Sequence, residues 1–505
     1  MQNISITGRW TVIDIKIFLG EIKMDILFAV AFGVYFLGLT IVGWLFSSRQ
    51  KNSETFSLGN RSINYWVTAV ATHATDMSAW LFMAFPGVVY ATGLFSAWSA
   101  IGLVIFMFLS WHFIAGKLRR DTEKYNVLTL PSYFEKRFKD DSGLIRIVSS
   151  LIAIFFFTLY ISAGIVALGR ALEATFGFSY FTSIILGASC VSIYTVLGGF
   201  IAVAWNDFLQ GMFVFFVMLI FPAYALYHIG GFGPILAVAK AKKINLSLFP
   251  DFSLTTLRNI LVPALGWGLG YFGQPHILVN FMGIDNPKDI KKSKILGLSW
   301  QIITLLAATL IGLIGIAFFK SPLANSELVF INMVKDLFTP LLAGFVLCAI
   351  LAAAISTMDS QILVSASMFT EDFYKIGIDK TFWGDVYRPK GMNELFQKHL
   401  LLVSRISAIA IVLASVFLAI NSEQTIFSMV RYAWCGLGST FGPVLLLSLY
   451  WKKINRNGAL AGILTGGLTS ITWTYFNLPL ADYSVIPGFV LSTVACVLIS
   501  LIWRK

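Results

Sequence analysis

Charged residues are scarce in this chain. Asp, Glu, Lys and Arg make up 12% of its 505 residues, about half the share of a soluble domain, whereas 57% of the residues are hydrophobic. This balance excludes an ordinary soluble domain and predicts an all-α polytopic membrane protein. Cysteine is also rare, because only four are present, all in apolar stretches. Their spacing suggests neither a metal site nor a disulfide framework.

Basic residues outnumber acidic ones, which gives a formal net charge of +12. Such an excess can indicate a nucleic-acid partner. Here the basic residues concentrate between the apolar stretches, as is typical of cytoplasmic loops. We therefore expect a lipid bilayer as the partner of this surface, and no nucleic acid.

Apolar windows of about 20 residues, the length that crosses a bilayer as a helix, recur along the chain. Residues 1–23 precede them and lack the apolar core of a signal peptide, so we interpret them as an N-terminal extension, with Met24 as an alternative start. About 13 transmembrane helices are predicted, at residues 25–46, 65–91, 94–116, 145–172, 179–203, 207–230, 259–283, 295–319, 339–368, 401–420, 427–450, 457–477 and 484–503.

The distribution of basic residues predicts the orientation of these spans. With the N-terminus outside, 26 of the 37 Lys and Arg residues lie on the cytoplasmic side. The positive-inside rule therefore predicts a multi-pass protein of the cell (inner or plasma) membrane, with its N-terminus outside and its C-terminus in the cytoplasm.

One carboxylate, Asp76, lies inside the second apolar span, between the hydroxyl residues Thr75 and Ser78 and shortly before Pro86. A charged side chain within a membrane costs roughly 2.5–3.5 kcal/mol or more, so it indicates function. We predict that the helix breaks near Asp76. The freed carbonyls and the hydroxyls would then line a cavity for a cation and a substrate.

A second interruption is predicted five spans later, where residues 266–275 read GWGLGYFGQP. Four glycines and a proline in ten residues do not favour a straight helix. Because five is an odd number, the second set of spans would be inverted relative to the first. Paired interruptions in inverted repeats are typical of transporter sites. Glycines also permit close helix packing in lipid, and that alternative stays open.

A third polar cluster lies in the ninth span, where Ser356 and Thr357 are adjacent and Asp359 follows. Two hydroxyls together with the carbonyls of a broken helix offer Na⁺ several neutral oxygens without burying much charge. Ser and Thr can instead bond to the preceding turn of their own helix, and the two interpretations are equally compatible with the pattern.

The chain resembles the sodium/solute symporter family, and within it the proline-transporting branch, from about Met24 to the C-terminus. The matching stretches are LGNRS at 58–62, DMSAW at 76–80, LTLPSYF at 128–134, FFTLY at 156–160, LGGFIAVAW at 197–205, GWGLGYFGQPHIL at 266–278, AAAISTMDSQILVSAS at 352–367, TEDFYK at 370–375 and AWCGLGSTFGP at 433–443.

The resemblance implies a LeuT-like core of two inverted five-helix repeats, at residues 65–230 and 259–450. A first extra helix and a cytoplasmic loop at 24–64 would precede this core, and two helices at 451–505 would follow it. The resemblance also implies Na⁺-coupled import of L-proline by alternating access, with Na⁺ as the co-transported ion and no enzymatic activity. The alternative substrate is another small amino acid or a related zwitterion.

The family's site residues carry over by position. Its sodium ligands match the carbonyls of Ala74, Met77 and Ala353 and the hydroxyls of Ser356 and Thr357. Its substrate-pocket residues match Ser78, Trp80, Tyr160, Trp267 and Tyr271. Three residues match positions tied to ion coupling: Asp76, Arg61 near the inner mouth, and Asp207 near the cation's exit path.

Three residues depart from the family pattern. His73 and Ala79 stand where the proline branch has glycines, and Asp359 stands where it has a small polar residue. His73 would pack or hydrogen-bond, or take a proton-linked role. Asp359 would face the ion cavity or form an ion pair elsewhere.

Two other classes of function fit the sequence less well. A transporter-like sensor usually needs an attached signalling domain. A membrane-embedded enzyme could use His73, Asp76 and Ser78, but no GxSxG or HExxH pattern accompanies them.

Overall fold

The computed structural model describes residues 26–47, 53–375 and 393–503, so the predicted extension at 1–23 lies outside the described residues. Within this part of the chain the regular structure is helical, apart from one isolated β-bridge between Ile63 and Ile284. The α-helices, numbered in chain order, are α1 (Ile26–Ser47), α2 (Ser53–Leu58), α3 (Tyr65–Met77), α4 (Ala84–Thr92), α5 (Trp98–Leu109), α6 (Gly116–Lys124), α7 (Leu130–Phe138), α8 (Leu144–Phe176), α9 (Tyr180–His228), α10 (Phe232–Ala241), α11 (Leu254–Gly268), α12 (Pro275–Gly283), α13 (Ile290–Phe318), α14 (Val329–Leu337), α15 (Pro340–Met368), α16 (Asn393–Ala419), α17 (Ile426–Tyr450), α18 (Arg456–Tyr475) and α19 (Val485–Ile502).

Several of these helices begin at a side chain that caps them. Asn64, Ser179, Ser253, Thr425 and Asn455 each accept a hydrogen bond from a backbone N–H in the first turn of the helix that follows. These N–H groups have no partner within the helix, so the caps fix where α3, α9, α11, α17 and α18 start.

Both predicted interruptions are present. The helix α3 ends at Met77, and Ser78 adopts a φ of 50° that breaks the helical path before a short 3₁₀ turn and α4. The second interruption runs from α11 through a 3₁₀ segment, Leu269–Gly273, to an extended Gln274 and then α12, which begins with Pro275. Proline suits this first position because it has no N–H to donate.

The boundary between the fifth and sixth predicted spans was misplaced. Helix α9 continues through residues 203–207, and the chain changes direction earlier, at Gly199. Its φ of 54° is a conformation that glycine adopts without steric cost. At 49 residues, α9 would measure about 74 Å if straight, far more than a bilayer is thick. The kink divides it into two membrane-length pieces.

Eight helices in the described part of the chain are long and apolar enough to cross a membrane, judged by length and composition. Large apolar side chains face outward on several of them, for example Ile220, Leu306 and Leu413. Such a surface suits lipid better than water. The number of about 13 spans stays a prediction, as do the repeat boundaries, because both interrupted spans are divided among shorter helices.

Two glycines let helices from the two halves of the chain meet at backbone distance. A Cβ added at Gly102 on α5 would lie 2.3 Å from the carbonyl oxygen of Ala264 on α11. A Cβ at Gly312 on α13 would lie 2.6 Å from the carbonyl oxygen of Pro86 on α4. The broken helices are therefore held directly against α5 and α13, with no side chain between them.

The start of α3 and the end of α12 are tied together at the predicted cytoplasmic face. Arg61 donates to the carbonyl oxygens of Met282 at 2.7 Å, Val127 at 2.8 Å and Thr122 at 3.0 Å. Burial, and secondarily the neighbouring Arg119, lower the pKa of the Arg61 guanidinium to about 10. This group stays charged at neutral pH, and it closes this face by satisfying carbonyl groups from three segments.

Replacing Gly102 by Ala should destabilise the protein by about 1–3 kcal/mol, the usual cost of overpacking a tight contact. Thermal unfolding of the detergent-solubilised protein would measure the effect. Gly38 on α1, where a Cβ would meet no heavy atom within 4 Å, provides the matched control. An unchanged midpoint for Gly102→Ala would contradict the close contact between α5 and α11.

Replacing Arg61 by Gln should loosen the tied face, because at least two of the three carbonyl partners lose their donor. A single cysteine at Val279, which lines a small cavity together with Met282, would report the opening in a background without native cysteines. We expect its reaction with a thiol reagent in detergent to become several-fold faster. The exposed Arg120 on α6 is the control position, and equal rates in the Arg61 and Arg120 variants would contradict the tie.

Candidate functional site

Four of the five predicted sodium ligands come together where α3 ends against α15. The Ser356 hydroxyl donates to the carbonyl oxygen of Ala74 at 3.0 Å and to that of Ala353 at 3.2 Å. The Thr357 hydroxyl donates to the Ala353 oxygen at 3.2 Å. Met77, the fifth, is buried at the last position of α3. The result is a group of neutral oxygens, the ligands that a small monovalent cation requires.

The serine–threonine pair makes hydrogen bonds both within its own helix and to a second helix. Thr357 bonds back to the preceding turn of its own helix, as the packing alternative predicts. Ser356 also crosses to another helix and reaches the end of α3. The Ala74 carbonyl is available to it because the last turn of a helix leaves its carbonyl groups without partners in the helix.

A hydrogen-bond chain joins the two interruptions. Tyr271, in the second interruption, donates a short hydrogen bond to the carboxylate of Asp76 in the first. The Gln301 amide on α13 donates in turn to the Tyr271 hydroxyl at 2.7 Å. All three side chains are buried, so this chain provides the partner that a carboxylate within the membrane needs.

Aromatic rings surround this chain on one side. The ring centres of Trp80 and Trp267 are 5.1 Å apart, and Trp80 stacks on Phe85 at 4.8 Å. A small cavity lies among them, and its lining includes Asp76 and Tyr160. Three of the five predicted pocket residues, Trp80, Tyr160 and Trp267, therefore line one cavity.

Two aromatic residues of this pocket were missed by the sequence analysis. Trp434 on α17 meets Tyr271 edge-on, with ring centres 5.0 Å apart, and donates to the carbonyl oxygen of Trp267 at 2.8 Å. Phe427, also on α17, lies 5.3 Å from Trp267. Trp434 falls within the matched stretch AWCGLGSTFGP, which was the available signal. Close packing also explains one glycine of the second interruption, because a Cβ at Gly270 would overlap the Trp434 indole.

A second small cavity adjoins the first and shares Tyr160 and Val430 with it. Its lining includes Ser78, Thr357 and Gln361, while most of the other lining side chains are apolar. Ser78 also accepts from the Trp80 N–H at 3.1 Å, which stabilises the turn after α3. Ser78 thus borders the second cavity rather than the aromatic one.

The remaining predicted residues lie behind the ion ligands. Asp207, fully buried on α9, accepts hydrogen bonds from Thr75 at 2.9 Å and Ser360 at 3.1 Å. Asp359 is also buried, and its carboxyl group lies beside that of Asp207. The carboxyl of Asp359 thus faces another carboxyl group. Arg61 lies apart from this group, where it binds the carbonyl oxygens of Met282, Val127 and Thr122.

His73 packs between two tryptophans. Its ring centre is 6.4 Å from that of Trp111 and 6.2 Å from that of Trp300. The Trp111 indole N–H approaches His73 Nε2 at 3.4 Å. These contacts match the packing and hydrogen-bonding alternative for this residue.

The face opposite Arg61 is closed by Glu327, which precedes α14. Its carboxylate accepts from the backbone N–H groups of Ile426 and Phe427, at 3.3 and 3.1 Å, and from Arg170 on α8 at 3.0 Å. The first turn of α17, which places Phe427 over the aromatic cavity, is therefore anchored at its N-terminus.

Comparison with known proteins assigns the fold and the family. The solved structure of a Na⁺-coupled sialic acid symporter, in a substrate-bound outward-open state, matches with a TM-score of 0.78 and 21% identity over 95% of this chain and 98% of that one. The structure of MhsT in complex with L-phenylalanine matches with a TM-score of 0.53 and 14% identity, over 86% and 97%. The predicted LeuT-like fold is confirmed.

Sequence relatives agree with this assignment. The sodium/proline symporter of Escherichia coli (strain K12) is 40% identical over 94% of this chain and 93% of its own length. The osmoregulated proline transporter of Bacillus subtilis (strain 168) is 40% identical over 95% and 96%. The model of the sodium:solute symporter family matches residues 56–466. With this match and these relatives, the chain belongs to the sodium:solute symporter family.

Proposed function

We propose that this protein imports L-proline together with Na⁺ by alternating access, as a multi-pass protein of the cell membrane with its N-terminus outside. The substrate is inferred from the names of the relatives, which are a sodium/proline symporter and a proline transporter. The observation that supports it best is the convergence of neutral oxygens, a bridged carboxylate and an aromatic cavity at the two helix interruptions.

The ion would bind among the oxygens of Ala74, Ala353, Ser356 and Thr357, with Met77 completing the set. Its binding would replace the hydroxyl–carbonyl hydrogen bonds now made by Ser356 and thereby fix the end of α3 against α15. Because Asp76 lies in the last turn of α3 and Ser78 follows it directly, the ion would order the neighbouring substrate cavity. By linkage, each ligand then raises the affinity for the other by the same factor.

The substrate would use both the apolar and the polar walls of the cavities. The pyrrolidine ring of proline is compact and apolar, which suits the faces of Trp80 and Trp267. The secondary ammonium of proline is a cation, which an aromatic ring attracts electrostatically. The membrane potential, at about 2.3 kcal/mol per charge per 100 mV, would favour inward movement of the ion.

Uptake in proteoliposomes tests the proposal directly. An inward Na⁺ gradient should drive accumulation of radiolabelled L-proline, whereas K⁺ or choline gradients should not. Equal uptake with all three cations would contradict sodium coupling. A competition panel of unlabelled amino acids tests the alternative substrate, since a competitor stronger than proline would replace it in the proposal.

Asp76→Asn should raise the Na⁺ concentration needed for half-maximal uptake by about tenfold or more. The side chain keeps its shape, but it loses the charge that accepts the Tyr271 hydrogen bond, and bonds to charged groups contribute about 1.5–3 kcal/mol. Uptake measured against Na⁺ concentration would check this. The exposed Asp336 on α14, replaced by Asn, is the control. A wild-type Na⁺ dependence would remove Asp76 from the coupling machinery.

A further inference from the structure

The second cavity contains a buried amide whose polar atoms make no contact within the described residues. Gln361, on α15, is fully buried and lines this cavity. Neither its amide nitrogen nor its carbonyl oxygen has a hydrogen-bond partner in the described part of the chain. A buried amide with both groups unpaired costs free energy, so its retention calls for a ligand that pairs them.

The surroundings of Gln361 restrict what this ligand can be. The cavity is otherwise bordered largely by small or apolar side chains, such as Ala163, Gly164 and Met358. The Ser78 hydroxyl already accepts a hydrogen bond from the Trp80 N–H. The Thr357 hydroxyl already donates one to the Ala353 carbonyl oxygen. The amide is therefore the group best placed to offer a donor and an acceptor together.

A primary amide presents a donor and an acceptor side by side. An α-amino acid presents the complementary pair on adjacent carbons, an ammonium that donates and a carboxylate that accepts. An apolar ligand would leave the amide unpaired. The adjoining aromatic cavity, which shares Tyr160, could meanwhile hold an apolar side chain or ring.

We propose that Gln361 is a specificity-determining residue, whose amide holds the charged head of an α-amino-acid substrate by accepting from its ammonium and donating to its carboxylate. This inference rests on the proposed function as an amino-acid symporter. Gln361 follows Thr357 by one helical turn, so both residues lie on the same face of α15. The face of α15 that supplies an ion ligand would thus also bind the substrate.

Gln361→Met is the first test, because methionine keeps the length of the side chain and removes both polar groups. In proteoliposomes, the KM for L-proline should rise about tenfold or more, the effect of losing a hydrogen bond to a charged group. The half-saturating Na⁺ concentration, measured at saturating proline, should change much less. Ser367→Ala is the matched control, since Ser367 is a buried hydroxyl without a described partner on the same helix, outside this cavity.

A second readout separates recognition from a merely structural role. L-prolinamide, which lacks the carboxylate, should compete with proline far less well than unlabelled proline does in the wild type. In Gln361→Met the ratio between the two competitors should decrease by about tenfold, because the amide that binds the carboxylate is absent. A structural defect would weaken both competitors equally.

The outcomes distinguish the two proposals. If the wild type takes up proline with Na⁺ but Gln361→Met keeps its KM within about twofold and its preference over prolinamide, the role of Gln361 is overturned. If the wild type shows no Na⁺-driven uptake, the proposed function itself fails. Should Gln361→Met not fold, Gln361→Asn, which retracts the same amide by one methylene, must raise the KM for proline, and an unchanged KM would overturn the role equally.

Discussion

The hydrogen bond from Tyr271 to Asp76 is the contact on which the centre of this protein depends. A carboxylate and two stretches of non-helical backbone lie here at the depth of a membrane, where water cannot satisfy them. Each interruption supplies what the other lacks. The first places the carboxylate and the second the phenol, and Gln301 on α13 extends the chain to a third element. Losing one partner would leave the others buried and unpaired.

Around this bond, the ion and substrate regions use different chemistry. The proposed sodium ligands are neutral oxygens, and the buried carboxyl groups of Asp207 and Asp359 lie behind them. The aromatic cavity is built from indole and phenol rings that come from the turn after α3 and from α8, α11 and α17. The regions meet at the turn after Met77, where the backbone ending α3 is common to both. A change in the conformation of one region therefore acts directly on the other, because they share this backbone.

Sequence patterns were sufficient where the signal was local. A charge among apolar residues marked the first interruption, and clustered glycine and proline marked the second. The residues that contact these segments could not be predicted from local patterns. That Ser356 contacts the Ala74 carbonyl depends on how α15 packs on α3, and only the family resemblance brought the two together.

Other features were missed for physical reasons. Trp434 belongs to a continuous helix, so apart from the matched stretch AWCGLGSTFGP nothing distinguishes it from the other tryptophans of the chain. Asn206 and Asp207 interrupt an apolar run, yet α9 continues through them as buried side chains, and the bend lies at Gly199 instead. Glu327 precedes α14 in a connecting segment, where an acidic residue ordinarily indicates a solvated surface.

The contacts of Gly102 with Ala264 and of Gly312 with Pro86 restrict how the centre can move. Where two backbones touch, one helix cannot slide along the other without steric overlap, because no flexible side chain lies between them to adjust. The broken helices and their neighbours α5 and α13 would thus have to tilt as one block against the remaining helices. Any exchange of access between the two sides of the membrane would be a swing of that block, with the strain concentrated in the segments joining it to α8, α9 and α15.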